Sequence, residues 1–276
     1  MLKKTIKWLN INPRLIMLIP YLIIAVVFIL MPIGLILVSA FTDNGVNHDS
    51  WQIVRNRATW VVIFRSIKLG LLASFAALVI ALPYTYFVST SKSKLFKIIA
   101  ISLILAPLLI FTIAKVYAIR GILLSMMNDE KVNNEWFMVF AMVYMNLPFM
   151  IMPLYSVFKS LPNNIIEASQ DLGYSKFVTM FKVVIPYGIK AIMSGVSLVF
   201  ISSATSLVIS EKLLTNKYSF QLVANLINDY ANPTSPVDMS ISSVLVLVVT
   251  CCIIGVSALL YIIPALIMKL KGMRYE

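Results

Sequence analysis

Long apolar runs separated by short basic loops dominate the chain. A membrane-spanning helix takes about 20 mostly apolar residues. Six stretches reach that length and predict helices at Leu15–Phe41, Ser66–Val88, Ile98–Tyr117, Phe137–Phe158, Ala191–Ser210 and Ile241–Met268. The first is too long for a signal-peptide core and is not closed by a small-residue cleavage site, so it reads as a retained helix. Prolines fall inside several runs, among them Pro83, Pro107, Pro148, Pro153 and Pro264. In water an interior proline costs a helix about 3 kcal/mol. Within a membrane it is tolerated and marks a kink, so the runs stand. The expected fold class is all-α, a polytopic membrane protein. Its parts are an N-terminal segment 1–14, a transmembrane domain 15–268 and a C-terminal tail 269–276.

Composition supports the pattern. Of the 276 residues 60% are hydrophobic and 12% charged, and mean hydropathy is +0.92. A soluble domain carries roughly a quarter charged residues. Here there are too few to cover an aqueous surface, whereas lipid leaves apolar side chains at no cost.

The net charge of +12 raises nucleic-acid binding as a reading, but its placement argues against it. Basic residues cluster in four short segments: Lys3, Lys4, Lys7 and Arg14; Lys92, Lys94 and Lys97; Lys159, Lys176, Lys182 and Lys190; Lys269, Lys271 and Arg274. These are 14 of the 23 basic residues, and they meet three acids, Glu167, Asp171 and Glu276. The segments alternate with the spans so that all fall on one side. By the positive-inside rule that side is the cytoplasm, and both termini lie there. The protein is expected in the cell membrane, bound to lipid and not to nucleic acid.

Little chemistry of the catalytic kind is available. His48 is the sole histidine and sits in a polar loop, and Cys251 and Cys252 are adjacent within an apolar run. No metal-ligand spacing or disulfide framework arises, and no cofactor is expected. No Gly-rich phosphate-cradling sequence of the Walker A kind occurs, so ATP chemistry would reside on another chain.

The loop between the fourth and fifth runs, 159–190, is the exception to the plain loops. Pro162 suits a first helical turn, and Glu167 lies near a helix start where carboxylates are favoured. Gly173 fits the left-handed position that ends a helix. Ser175 caps a second helix, in which Phe177, Met180, Phe181 and Val184 share one face. Pro186 is expected to stop it. Periodicity leaves two readings, a hairpin lying on the membrane or an element that docks into a motor.

The residues resolve this by resemblance. Glu167-Ala168-Ser169, three residues, Gly173, nine residues, then Val183-Val184-Ile185-Pro186 resembles the EAA motif of ABC importer permeases. The chain departs from that motif at Ser169, Val183 and Ile185, each a small or volume-conserving change. Leu147–Ser156, Asp171-Leu172-Gly173 and Ser175-Lys176 extend the likeness to spermidine/putrescine permease subunits of the PotB type, as do Lys115-Val-Tyr117 and Ser210-Glu211. The aromatic expected before Ser210 is replaced by Val208 and Ile209.

The resemblance implies a type I importer half that pairs with a second permease, an ATPase dimer and an extracellular substrate-binding protein. It also implies that Glu167, Ala168, Ser169, Gly173, Phe177, Phe181 and Pro186 couple to the ATPase. The implied cargo is a polyamine. The same architecture importing thiamine, iron or a sugar is the alternative, and a membrane-embedded enzyme or a scaffold are readings from other classes.

A polycation needs carboxylates and aromatic faces along its path. Glu211 is either a solvated helix-end charge or a group facing the substrate. Tyr117 and Tyr144 either line the pathway or pack between helices. Ser206, with Ser202, Ser203 and Thr205, suits both close helix contact and a wet path. Lys115 and Arg120 read as snorkelling residues or as partners of Asp129 and Glu130.

Overall fold

The computed structural model describes residues 18–42, 49–127, 133–214 and 220–270. The N-terminal lysines and Arg14, His48, Asp129, Glu130 and the last basic residues of the tail therefore lie outside the described residues. All the regular structure described is helical, in keeping with the expected class.

Two compact units divide the chain, 1–55 with 230–248, and 56–229 with 249–276. In the first unit, α1 (Pro20–Phe41) is apolar on every side and almost wholly exposed, as a helix surrounded by lipid would be. One turn of π-helix at Val26–Leu30 passes the chain on to Pro32. The indole of Trp51, just before the short α2 (Gln52–Arg55), donates to the Ala40 carbonyl at 3.2 Å and stacks at a tilt on Phe41.

The second unit carries the packed core. It contains α3 (Arg57–Thr90), α4 (Lys94–Leu105), α5 (Thr112–Met126), α6 (Glu135–Lys159), α7 (Asn163–Asp171), α8 (Lys176–Tyr187), α9 (Ile189–Ala204), α10 (Leu207–Lys212) and α11 (Val223–Asp229). Helix α12 (Pro236–Leu270) runs through both units. Three helices, α3, α6 and α9, pack on one another. Ala73, Ala77 and Ala81 line one face of α3 at intervals of one turn and are fully buried. Such small residues let backbones approach closely, which is how helices associate where lipid removes the hydrophobic drive. Met138, Met142, Met150 and Leu154 of α6 fill the spaces between, with Val196, Val199 and Phe200 of α9.

Among the described residues four helices are long and apolar enough to cross a membrane, and two bent pairs bring the number to six if each pair is one span. The fourth predicted run matches α6 to within two residues, with both its prolines inside. The second starts earlier than expected. Asn56 Oδ1 accepts from Ala58 N at 3.0 Å and launches α3 at Arg57, so the helix gains more than two turns that include Arg57, Thr59 and Arg65. There Glu135 of α6 pairs with Arg65 at 3.4 Å and Lys68 at 2.5 Å.

The third and fifth runs are not continuous helices. Pro107 cannot donate to the Leu103 carbonyl, the chain tightens to a 3₁₀ turn at Ala106–Leu109, and Ile110 and Phe111 are extended. The helices on either side meet at 100°. In the fifth run α9 ends at Ala204. Thr205 Oγ1 bonds back to the Ile201 carbonyl at 2.8 Å, Ser206 is extended, and α10 begins anew. The sixth helix begins at Pro236, where a missing N–H is harmless, and passes through Pro264.

Candidate functional site

The segment 159–190 folds as two short helices. Helix α7 ends in a paired-bond turn: Tyr174 N donates to Ser169 O at 3.2 Å and Gly173 N to Gln170 O at 2.8 Å. This closure needs a left-handed residue, and Gly173 has φ +81°. Ser175 Oγ then accepts from Val178 N at 3.4 Å and starts α8. Both expectations hold, and Pro162 sits at the N-cap.

Two expectations about α8 need correction. Pro186 does not stop the helix. A π-turn over Met180–Val184 widens the spiral, Ile185 N bonds to Met180 O, and Pro186 enters a new first turn where its ring is accommodated. The chain turns instead at Gly188, by 81° into α9. A β-carbon at Gly188 would overlap the Phe158 ring, so the bend is held against the end of α6. The same π-turn splits the expected apolar face. Met180 and Val184 are buried, while Phe177 and Phe181 are 61% and 62% exposed.

Residues of the motif therefore fall into two groups. Glu167, Ala168, Gly173, Phe177 and Phe181 are at the surface. Ser169 is buried, and its hydroxyl meets the hydroxyl of buried Thr179 at 2.9 Å, tying α7 to α8. Thr179→Val leaves Ser169 buried and unpartnered. It is expected to destabilise the chain by about 1–3 kcal/mol, with the Ser169→Ala/Thr179→Val pair restoring most of the loss. Thermal unfolding of the purified chain and its variants measures this.

Leu172, part of the resemblance but given no coupling role in the sequence, is 77% exposed beside Gly173. Together with Asn164, Ile165, Ala168, Ser169, Tyr174 and Val183 it lines a cavity of about 400 Å³. The Lys182 ammonium sits over the Tyr174 ring at 4.6 Å, and Phe177 meets Phe87 of α3 edge-on at 6.2 Å. An exposed apolar patch of this kind, on a polar hairpin, suits a protein partner.

At the far end of α5 a second group assembles. Helix α5 packs against α10. The Arg120 guanidinium donates to the Lys212 carbonyl at 3.3 Å. Lys212 Nζ lies 2.6 Å from Glu211 Oε1, and the two side chains are 38% and 30% exposed. The Glu211 carboxylate holds the Lys212 ammonium above its ordinary range, with a smaller contribution from nearby Tyr117. Ser210 donates to Asn225 Oδ1 of α11 and fixes the end of α10. Tyr117, Glu211 and Arg120 are thus brought together. Lys115 is buried on α5. Ser206 sits at the break before α10, and Tyr144 is exposed on α6 without a hydrogen bond to this group.

Between the two ends, Asn146 of α6 is buried. It donates to Ser203 Oγ at 3.0 Å and accepts from Ser202 Oγ at 2.8 Å. Part of the polarity of the fifth run is therefore spent on helix contact. Asn146 was not singled out in the sequence, because a lone amide in an apolar run has no pattern of its own. Among the described residues no cluster of His, Cys, Asp and Glu suits a metal.

Comparison with known proteins agrees with this architecture. The family described as "Binding-protein-dependent transport system inner membrane component" matches residues 7–269. The spermidine/putrescine transport system permease protein PotB homolog of Mycoplasma pneumoniae is 30% identical over 74% of this chain and 76% of its own. The PotB protein of Haemophilus influenzae is 29% identical over 63% and 68%. A solved bacterial ABC transporter involved in the import of the acidic polysaccharide alginate superposes with TM-score 0.65 over 93% of this chain and 98% of the matching chain, at 15% identity.

Proposed function

The chain belongs to the binding-protein-dependent transport system inner membrane components, and from that premise we propose that it forms half of the translocation pathway of an ATP-driven polyamine importer. A second permease completes the pathway, an ATPase dimer on separate chains drives it, and an extracellular binding protein delivers the cargo. The observation that carries the coupling role is the hairpin α7–α8. It exposes Leu172, Phe177 and Phe181, closes its turn at Gly173 with two backbone hydrogen bonds, and connects through Gly188 directly to α9. A force on the hairpin is thereby a force on a core helix.

Polyamine is favoured as cargo by the names of the permease relatives, which are spermidine/putrescine systems, and by Glu211 and Tyr117 at one end of the fold. The test is initial uptake of labelled spermidine and putrescine into vesicles that hold the assembled complex, ATP inside and binding protein outside. ATP-dependent uptake of thiamine, iron or a sugar, with none of polyamine, would sink the cargo assignment and leave the importer architecture standing.

The basic segments favour a cytoplasmic hairpin and cytoplasmic termini by the positive-inside rule. In a chain whose Cys251 and Cys252 are replaced by Ser, a cysteine at Thr234 is expected to react with an impermeant thiol reagent on intact cells. One at Ser93 is expected to react only after permeabilisation. The reverse pattern overturns the orientation.

A further inference from the structure

A cavity of about 580 Å³ opens between α4 and α6, lined by Lys94, Lys97, Ile98, Ile101, Tyr155 and Lys159, with Ser102. It belongs neither to the hairpin nor to the group around Glu211. We propose that it binds the headgroup of an anionic phospholipid, with one acyl chain lying along Ile98 and Ile101. The inference needs only that these helices cross a membrane and does not depend on the transport reading.

Charge is the first argument. Three ammonium groups converge from two helices, and among the described residues none of the three forms an ion pair. Lys159 has only the face of Tyr155, at 5.9 Å. Lys94 and Lys97 stand in the first turn of α4, the positive end of the helix dipole, and that turn holds no acid. Cations there repel the helix end as well as one another. A phosphate relieves all of these at once.

Shape is the second argument. The lysines lie at the start of α4 and the end of α6, while the isoleucines continue along α4 toward the apolar middle. Polar and apolar linings are thus stacked in the order of a lipid headgroup and its chain. A free anion would have no use for Ile98 and Ile101. The wall is anchored, since Tyr84 Oη of α3 donates to the Ala100 carbonyl at 2.8 Å. Basic pockets of this kind between transmembrane helices suit anionic headgroups.

The test is native mass spectrometry of the full chain in detergent, titrated with dioleoyl phosphatidylglycerol or dioleoyl phosphatidylcholine. The anionic lipid is expected to be retained in preference. Each lysine contributes about a factor of five, so Lys94→Gln/Lys97→Gln/Lys159→Gln is expected to lower retention by about two orders of magnitude. The triple Lys→Arg variant keeps the charge and is expected to keep the lipid, which separates loss of charge from loss of fold. Excess inorganic phosphate is expected not to displace it. Equal retention of the two lipids, an unaffected Gln variant, equal loss in the Gln and Arg variants, or displacement by phosphate each overturns the proposal. So does loss of retention when the partner permease is present, which would show that a protein fills the cavity.

Discussion

Gly173→Asp is expected to abolish ATP-driven uptake while the chain still inserts and assembles its core. The residue sits at φ +81°, where an L side chain is strained by about 1–2 kcal/mol. Strain alone is too small to explain a complete loss, and Asp is among the residues that tolerate this conformation best. A β-carbon placed there meets nothing within 4 Å in the chain itself. The loss is therefore expected to arise outside the chain, at the docking of the proposed ATPase partner. Buried against Leu172 and Phe177 in a docking groove, the new carboxylate would lose its water without gaining a partner, a cost of several kcal/mol. Gly173→Asn keeps the left-handed preference without the charge and is expected to retain most of the uptake. Gly173→Ala adds strain alone and is expected to fall between them. Uptake and co-purification of the ATPase, measured on all three, separate the causes. Full uptake by the Asp variant with a normal complex would remove the hairpin from the coupling path.

The exposure that makes Gly173 informative was only partly legible in the sequence. Its left-handed turn and the Ser175 cap rest on bonds between residues a few positions apart, and such local bonds leave clear residue signatures. The faces of α8 do not. A three-and-four spacing assumes 3.6 residues per turn, and the π-turn over Met180–Val184 resets the count, so Val184 follows Met180 inward and away from the exposed Phe177 and Phe181. The same limit explains the third run. Hydropathy averages over Ile110 and Phe111 because they are apolar, although their backbone is extended. By contrast α6 was read closely, since its prolines disturb neither its hydropathy nor its packing. The Ser169–Thr179 and Asn146–Ser203 bonds join residues whose adjacency only the folded chain creates.

At the other end of the fold, Glu211→Gln is expected to reduce spermidine uptake about tenfold, the low end of the roughly 1.5–3 kcal/mol of a charge-assisted hydrogen bond because solvent screens this partly exposed site. The structure adds a condition that residue identity alone did not supply. Glu211 is held by Lys212 at 2.6 Å, so an incoming amine competes with an ammonium already in place. Both side chains are about a third exposed, which leaves the pair screened and exchangeable. Competition makes the two residues opposite in sign. Lys212→Gln removes that competing ammonium and is expected to lower the spermidine concentration needed for half-maximal uptake, whereas Glu211→Gln raises it or lowers the maximal rate. Glu211→Asp shortens the reach but keeps the charge, and a mild defect is expected. In the double variant the gain from Lys212→Gln is expected to vanish, because the carboxylate for which the amine competes is gone. The measurement is the initial rate against spermidine concentration for the four variants at matched complex levels. If Glu211 is instead a solvated helix-end charge, all four curves coincide with that of the parent chain.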